Sequence, residues 1–237
     1  MVCSYSARGQ ETVTAQVEVG GQPKENRSKQ NPSKQKEMIG RGSAEVVVWL
    51  KPVDAPVRRE NDPPPKRQKL VQFHKTFEPH LLVVEVGSVV DFPNRDPFFH
   101  NVFSLFEGKR FDLGLYEAGA TNSVRFDRAG VSFLFCNIHP EMSAVVVAVD
   151  TPYYGVSDRS GRVTIANVPD GRYEVHYWSE RGLPNSLQQL TRTVTISEAA
   201  RNLALAHIAE NPSFTSTHKN KYGQDYVPPP GNDYPHP

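Results

Sequence analysis

Two runs of β-forming residues in the middle of the chain, Val131–Cys136 and Ala144–Val149, are joined by a short polar connection. Runs rich in Val and Phe on either side of such a connection predict two neighbouring strands. The connection reads Asn-Ile-His-Pro-Glu-Met-Ser, so Cys136 ends the first strand and His139 and Met142 follow it on the loop. The sequence therefore places three potential metal-binding side chains on one short loop that strands hold at both ends.

These side chains offer a thiolate, an imidazole and a thioether, and His100, within Phe-Phe-His-Asn-Val, supplies a second imidazole. Two His, one Cys and a weak axial Met make up the ligand set of blue-copper electron-transfer sites. Sulfur ligands favour Cu(I) and imidazole serves both oxidation states, so the ion changes charge with little ligand movement. We predict one type 1 copper ion at His100, Cys136, His139 and Met142. The alternative is a buried thiol beside an ordinary histidine, with Met142 filling the core.

The C-x-x-H-x-x-M motif, with a His-Asn pair upstream, resembles the cupredoxins, the family of plastocyanin and azurin. The short loop is most similar to that of amicyanin, and the resemblance runs from about Lys69 to Asp150. It implies a cupredoxin-like Greek-key β-sandwich in which Met142 is the axial ligand. It also implies that Asn101 ties the strand of His100 to the Cys136 loop. The equatorial ligands that the resemblance implies are His100, Cys136 and His139.

Apolar residues flank the candidate ligands. Phe98, Phe99 and Phe135 are expected to make the surroundings of the site apolar, and hydrophobicity near the sulfur tunes the reduction potential. His139, on the loop, is the expected exposed edge through which electrons enter and leave. His80, ahead of an apolar strand, is a weaker candidate ligand, since a lone histidine there is more often a surface or hydrogen-bonded residue.

Short strands separated by turns fill residues 66–150, in a chain that has 20 Pro and 16 Gly. Some of these strands carry apolar residues on both faces, as the core strands of a sandwich do. We therefore predict an all-β fold whose copper domain spans residues 66–150. The expected strands are Leu81–Val86, Val89–Phe92, Val102–Leu105, Asn122–Phe126, Val131–Cys136 and Ala144–Val149.

A different pattern, G-x-V-x-I-x-x-V-P-x-G-x-Y-x-V, occupies Gly161–Val175. It resembles the carboxypeptidase regulatory-like, transthyretin-like β-sandwich. The strands of this part are too few for a complete sandwich of that kind, and Thr12–Val19 and Val46–Leu50 resemble the missing ones. We therefore predict a second, smaller Ig/transthyretin-like β-sandwich into which the copper domain is inserted. Its predicted parts are residues 11–57 and 151–209.

The two ends of the chain, residues 1–10 and 211–237, are predicted as flexible termini. The C-terminal part is rich in Pro and Tyr without apolar periodicity, which is typical of a disordered or surface-hugging tail. The N-terminal residues lack the basic and apolar segments of a signal peptide. The cupredoxin resemblance nevertheless implies a periplasmic or extracellular protein.

The charge balance of 27 Lys and Arg against 26 Asp and Glu gives a net charge of +1, which does not imply a nucleic-acid partner. An apolar run of roughly 18 or more residues is missing, so no transmembrane segment is predicted. The two cysteines, Cys3 and Cys136, fit a metal thiolate and a stray thiol better than a disulfide framework.

The predicted function is the passage of single electrons between a protein donor and a protein acceptor, whose identities the sequence does not name. No catalytic nucleophile, phosphate loop or acid/base pair stands out, so we predict an electron carrier rather than an enzyme. The eight His leave a second, catalytic copper site open. The alternative function is a copper-binding or structural surface β-sandwich module without redox turnover.

Overall fold

The computed structural model of the chain is almost entirely β, which confirms the predicted all-β class. Among the described residues, one short helix, α1 (Pro184–Leu190), interrupts the strands, and no helix has both the length and the apolar character needed to span a bilayer. The structure describes residues 10–20, 44–56, 64–105, 107–214 and 218–226. In chain order the strands are β1 (Gln10–Gly20), β2 (Val47–Pro52), β3 (Gln68–Lys69), β4 (Val71–Phe73), β5 (Thr76–Glu78), β6 (Leu81–Glu85), β7 (Val89–Pro93), β8 (His100–Ser104), β9 (Phe111–Tyr116), β10 (Thr121–Arg125), β11 (Gly130–Phe135), β12 (Ser143–Val149), β13 (Tyr154–Val156), β14 (Arg162–Pro169), β15 (Gly171–Trp178), β16 (Arg192–Ile196) and β17 (Ala206–Ala209).

The chain divides into two compact units, each made of two segments. The first unit joins Met1–Pro63 with Val149–Phe214, and the second joins Pro64–Ala148 with Thr215–Pro237. In chain order, most of the second unit therefore lies between the two segments of the first. The predictions for residues 1–9, 21–43, 57–63, 106, 215–217 and 227–237, and therefore for Cys3, lie outside the described residues.

The first unit is a β-sandwich with one shared core. One sheet has the order β14-β1-β17 and the other has the order β13-β2-β15-β16. The strand β1 alternates strictly, because Val13, Ala15, Val17 and Val19 are buried while the residues between them are not. These side chains share a core with residues of the other sheet such as Leu50. The strand β2, from the first segment of this unit, pairs with β13 and β15 from the second segment.

The second unit is also a β-sandwich, and it carries the candidate ligands. Its larger sheet has the order β6-β12-β11-β8-β9, its smaller sheet has the order β10-β7-β3, and β4 pairs with β5. Phe92, Val102, Phe126 and Leu134 lie in the core of this unit. The strand β11 lies between β12 and β8, so the loop after β11 and the beginning of β8 lie at the same end of the sheet.

Three details differ from the sequence-based expectations. The strand expected from Val102 begins at His100, so this ligand candidate belongs to the strand itself. The predicted strand Val46–Leu50 corresponds to β2, which begins at Val47 after a turn with a positive φ of 61° at Glu45. The strand Phe111–Tyr116 was not predicted, although Phe111, Leu113 and Leu115 alternate with Asp112 and Gly114 along it.

Candidate metal centre

The loop between β11 and β12 and the first residue of β8 bring three ligand atoms together. Cys136 follows directly after β11, Met142 directly precedes β12, and His100 begins β8. The backbone N–H of Cys136 donates to the carbonyl of Met142 at 3.2 Å, and the N–H of Met142 donates to the carbonyl of His139 at 3.1 Å. These bonds fold the loop into a tight turn that places His139 beside His100 and Cys136.

The three donor atoms form a compact triangle. Cys136 Sγ lies 3.8 Å from His100 Nδ1 and 3.6 Å from His139 Nδ1, and the two Nδ1 atoms are 3.1 Å apart. A trigonal ion with metal–N bonds of about 2.0 Å and a metal–S bond of about 2.3 Å would set the nitrogens about 3.5 Å apart and each about 3.7 Å from the sulfur. The triangle is close to that arrangement, so the donor set fits one first-row metal ion.

Met142, predicted as the axial ligand, is fully buried and lies in the same apolar core as Cys136. Its backbone takes part in both hydrogen bonds that close the loop, so its position is tied to those of Cys136 and His139. Its role as a ligand stays a prediction. A buried thioether here also packs well as an ordinary core residue, since Met adapts to irregular spaces.

A buried carboxylate orients one of the imidazoles. Asp96 Oδ2 accepts a hydrogen bond from His100 Nε2 at 2.8 Å, and the two side chains are 3% and 0% exposed. With Nε2 carrying the proton, Nδ1 of a neutral His100 presents its lone pair to the triangle. Asp96 was not among the predicted site residues; the rule that ligating histidines pair with a carboxylate or carbonyl was the signal that could have found it.

The Asp96 carboxylate is kept ionised by its hydrogen bonds. Burial acts to raise its pKa, but the backbone N–H of Lys75, the ring of His100 and the backbone N–H of His74 outweigh burial and hold the pKa below its usual value. The two backbone N–H bonds measure 2.9 Å and 2.7 Å. The site therefore contains a buried negative charge on Asp96, which would stabilise the positive charge of a metal ion bound at Nδ1 of His100.

The thiol of Cys136 is buried and surrounded by backbone N–H donors. Burial raises its pKa, against hydrogen bonds from the backbone N–H groups of Ile138, Asn101 and His139, which lower it. A buried thiol of this kind stays protonated by itself, whereas a coordinated metal ion deprotonates it outright. With a metal ion bound, the same backbone N–H groups would donate to the Cys136 thiolate.

The second imidazole favours its neutral, metal-binding form. Burial, together with the neighbouring His100, lowers the pKa of His139 from 6.5 to about 4. Between these pH values the unfolded chain binds a proton that the folded chain does not, so acidification from about 6.5 to about 4 destabilises the metal-free protein. We expect the His139 ring resonances to titrate near pH 4 in NMR spectra of the metal-free protein. In metal-free His139→Gln, the free energy of unfolding should fall less between pH 6.5 and pH 4 than in the parent protein. A titration midpoint of the His139 ring near 6.5 in the parent protein would contradict this assignment.

Of the three aromatic residues predicted around the ligands, Phe98 packs against both histidines. The Phe98 ring centroid lies 5.2 Å from that of His100 and 5.6 Å from that of His139. Lys75 Nζ lies 5.5 Å from the Phe98 ring centroid, on the outer side of the site, in a cation–π arrangement. Phe99 is 55% exposed and belongs to the surface instead of lining the ligands.

The remaining predicted site residues have different roles in the structure. The Asn101 side chain donates from Nδ2 to Asp112 Oδ1 and to the Gly114 carbonyl on β9, so the connection to the Cys136 sulfur runs through the Asn101 backbone N–H. His80 Nδ1 lies 3.1 Å from the carbonyl of Ser143, and His80 is not part of the ligand triangle.

Part of the C-terminal tail also belongs to this site. Residues 218–226, which we call the strap, pack on residues 136–142, the ligand loop, so this part of the tail is surface-hugging rather than free. The hydroxyl of Tyr226 donates to the carbonyl of Cys136, and the His218 ring stacks on that of Phe135 with centroids 4.2 Å apart. The sequence carried no periodicity or motif that could have indicated these contacts.

No protein-family model matches the chain, and neither does any curated protein sequence. Among solved structures, a purple cupredoxin from Nitrosopumilus maritimus is 22% identical over 35% of this chain and 99% of its own, with a TM-score of 0.32. A copper-containing nitrite reductase from Thermus scotoductus is 21% identical over 42% of this chain and 25% of its own, with a TM-score of 0.34. A reduced amicyanin mutant is 22% identical over 43% of this chain and 98% of its own, with a TM-score of 0.34.

Proposed function

We propose that the second unit binds one type 1 copper ion and passes single electrons between a protein donor and a protein acceptor. The observation that best supports this proposal is the buried triangle of one cysteine sulfur and two histidine Nδ1 atoms. A His₂Cys set with a nearby Met is the donor set of blue-copper centres. The ion, when bound, would accept an electron as Cu(II) and return it as Cu(I).

The protein's own residues would keep the ligand cage rigid and dry. His100, the first residue of β8, and Cys136, directly after the neighbouring β11, are fully buried, and Asp96 keeps the His100 ring in one tautomer and orientation. His139 is half-buried on the loop, so it is the ligand that approaches the surface. We assign the passage of electrons in and out of the centre to the edge of the His139 ring.

The direct test is to add Cu(II) to the metal-free protein and record its visible spectrum. We expect one equivalent to bind and an intense thiolate-to-copper band in the red part of the spectrum, which a reductant bleaches and an oxidant restores. A bound ion without this band would overturn the type 1 assignment. A band that does not cycle would favour the alternative, a copper-binding or structural module without redox turnover.

Substitutions of Met142 test the axial position. The harder amide oxygen in Met142→Gln stabilises Cu(II), so we expect the reduction potential to fall while the red band remains. Met142→Leu keeps the volume of the side chain and removes the donor, so we expect the potential to rise. Voltammetry of the two variants beside the parent protein measures both shifts. Equal potentials in the parent and both variants would mean that Met142 is a core residue and not a ligand.

The proposal extends to the rest of the chain. It assigns residues 66–150 to the copper domain, inserted into a carboxypeptidase regulatory-like sandwich of residues 11–57 and 151–209 that acts as a spacer or docking platform. The pairing of β2 with β13 and β15 supports this division. The proposal also places the protein in the periplasm or outside the cell and makes it a carrier rather than an enzyme.

A further inference from the structure

The strap, residues 218–226, is a hydrogen-bonded turn. Asn220 Oδ1 accepts from the backbone N–H groups of Tyr222 and Gln224, and the Asn220 N–H donates to the Gln224 carbonyl at 2.9 Å. Gly223 has a φ of 76°, which glycine adopts without strain, and donates its N–H to the Asn220 carbonyl. The strap therefore has a defined shape that fixes where its side chains point.

Two hydrogen bonds join the strap to the first two residues of the ligand loop. The Tyr226 hydroxyl donates to the Cys136 carbonyl at 2.5 Å, and the Lys221 backbone N–H donates to Asn137 Oδ1 at 3.0 Å. Tyr226 is half-buried. The strap is thus hydrogen-bonded to both residues of the Cys136–Asn137 peptide unit, to the carbonyl of the first and the side chain of the second.

Two further contacts hold the strap against the same end of the unit. The His218 ring stacks on Phe135 with an interplanar angle of 28°. Lys221 Nζ lies 2.8 Å from Asp112 Oδ2, while Asp112 Oδ1 accepts from Asn101 Nδ2. The strap therefore contacts Phe135, the residue before the cysteine. Through Asp112 it is also linked to Asn101, the residue after His100 on β8.

We propose that Tyr226 is a positioning residue for the metal centre: through the carbonyl of Cys136 it fixes the ligand-loop backbone around the sulfur. The N–H groups of Ile138 and His139, further along the same loop, hydrogen-bond to that sulfur. Hydrogen bonds to a cysteine ligand withdraw electron density from the sulfur and tune the reduction potential of such centres. The strap thereby contributes to the potential of the copper centre, an effect that rests on the proposed function.

The hold of Tyr226 on the loop is testable without metal. In metal-free Tyr226→Phe, which keeps the ring and removes the hydroxyl, we expect about fivefold faster amide hydrogen exchange at Ile138 and His139, the effect of one lost hydrogen bond. Tyr222→Phe is the matched control, because the Tyr222 side chain is 72% exposed on the same strap. Lys221→Met, which breaks the ion pair with Asp112, should also make the amide exchange of Ile138 and His139 faster.

The copper-loaded proteins separate a positioning role from a merely structural one. We expect Tyr226→Phe to lower the reduction potential and shift the thiolate-to-copper band, and Tyr222→Phe to change neither. Unchanged exchange in the metal-free variant, or an unchanged potential and band, would overturn the positioning role. Faster exchange in a protein that binds no copper would instead overturn the proposed function and leave the mechanical hold of the strap in place.

Discussion

Cys136→Ser is expected to lose the red thiolate-to-copper band completely, the largest spectroscopic effect that a single substitution can have on this protein. The band requires a sulfur donor bonded to Cu(II), and Cys136 Sγ is the one sulfur atom in the triangle of donor atoms. Serine has nearly the same shape and fits the buried position, but its oxygen offers no comparable charge-transfer transition. A copper titration followed by visible absorption measures the effect.

Cys3→Ser is the matched control for this experiment, because Cys3 is the other cysteine of the chain. Its spectrum should equal that of the parent protein. Retention of the band in Cys136→Ser, or its loss in Cys3→Ser, would show that the proposed sulfur ligand is wrong. Both metal-free variants should show the same β-rich circular dichroism as the parent, which excludes misfolding as the cause of lost colour.

Asp96→Asn is expected to damage both the stability of the second unit and its affinity for copper. One Asp96 oxygen accepts from the His74 N–H, and the other accepts from the Lys75 N–H and His100 Nε2. An amide has one oxygen, so at least one buried donor loses its acceptor, at a cost of about 1–3 kcal/mol. Loss of a carboxylate partner of a ligating histidine typically weakens metal binding by about 10–100-fold.

Native-state hydrogen exchange at Val102 and Leu134, both in the core of the second unit, reports the stability change. Asp127→Asn is the control, because Asp127 is an exposed carboxylate of the same unit whose ion pair with Lys109 is expected to contribute little. The two variants remove the same charge from different places. Equal stability and equal copper affinity in both would show that Asp96 does not support the site.

Local patterns in the sequence were sufficient for many of the strands and for the ligand loop. In β1, Val13, Ala15, Val17 and Val19 alternate with less buried residues, and a period of two is visible in the sequence because successive side chains of a strand face opposite sides. The ligand loop was equally visible, since its three donors lie within one short connection between two strands. The strand Phe111–Tyr116, at the edge of its sheet, was missed although its apolar residues also alternate.

The supporting contacts were not predictable in this way. Asp96 and His100 are four residues apart, but they lie on a bend and a strand, where that spacing does not imply contact as it would on a helix. Tyr226 is 90 positions from Cys136 along the chain. The resemblance implied that Asn101 ties the strand of His100 to the Cys136 loop; its side-chain amide donates to Asp112 and Gly114 on β9, and its backbone N–H hydrogen-bonds to the Cys136 sulfur.

The sequence by itself determined which donor atoms this protein offers and that three of their residues share a short loop between strands, because side-chain chemistry and strand periodicity are local properties. Only the tertiary structure decided that His100 meets that loop, that Asp96 sets its tautomer and that the strap covers the cysteine peptide. These contacts depend on sheet order and packing between segments far apart in the chain, and no local pattern encodes them.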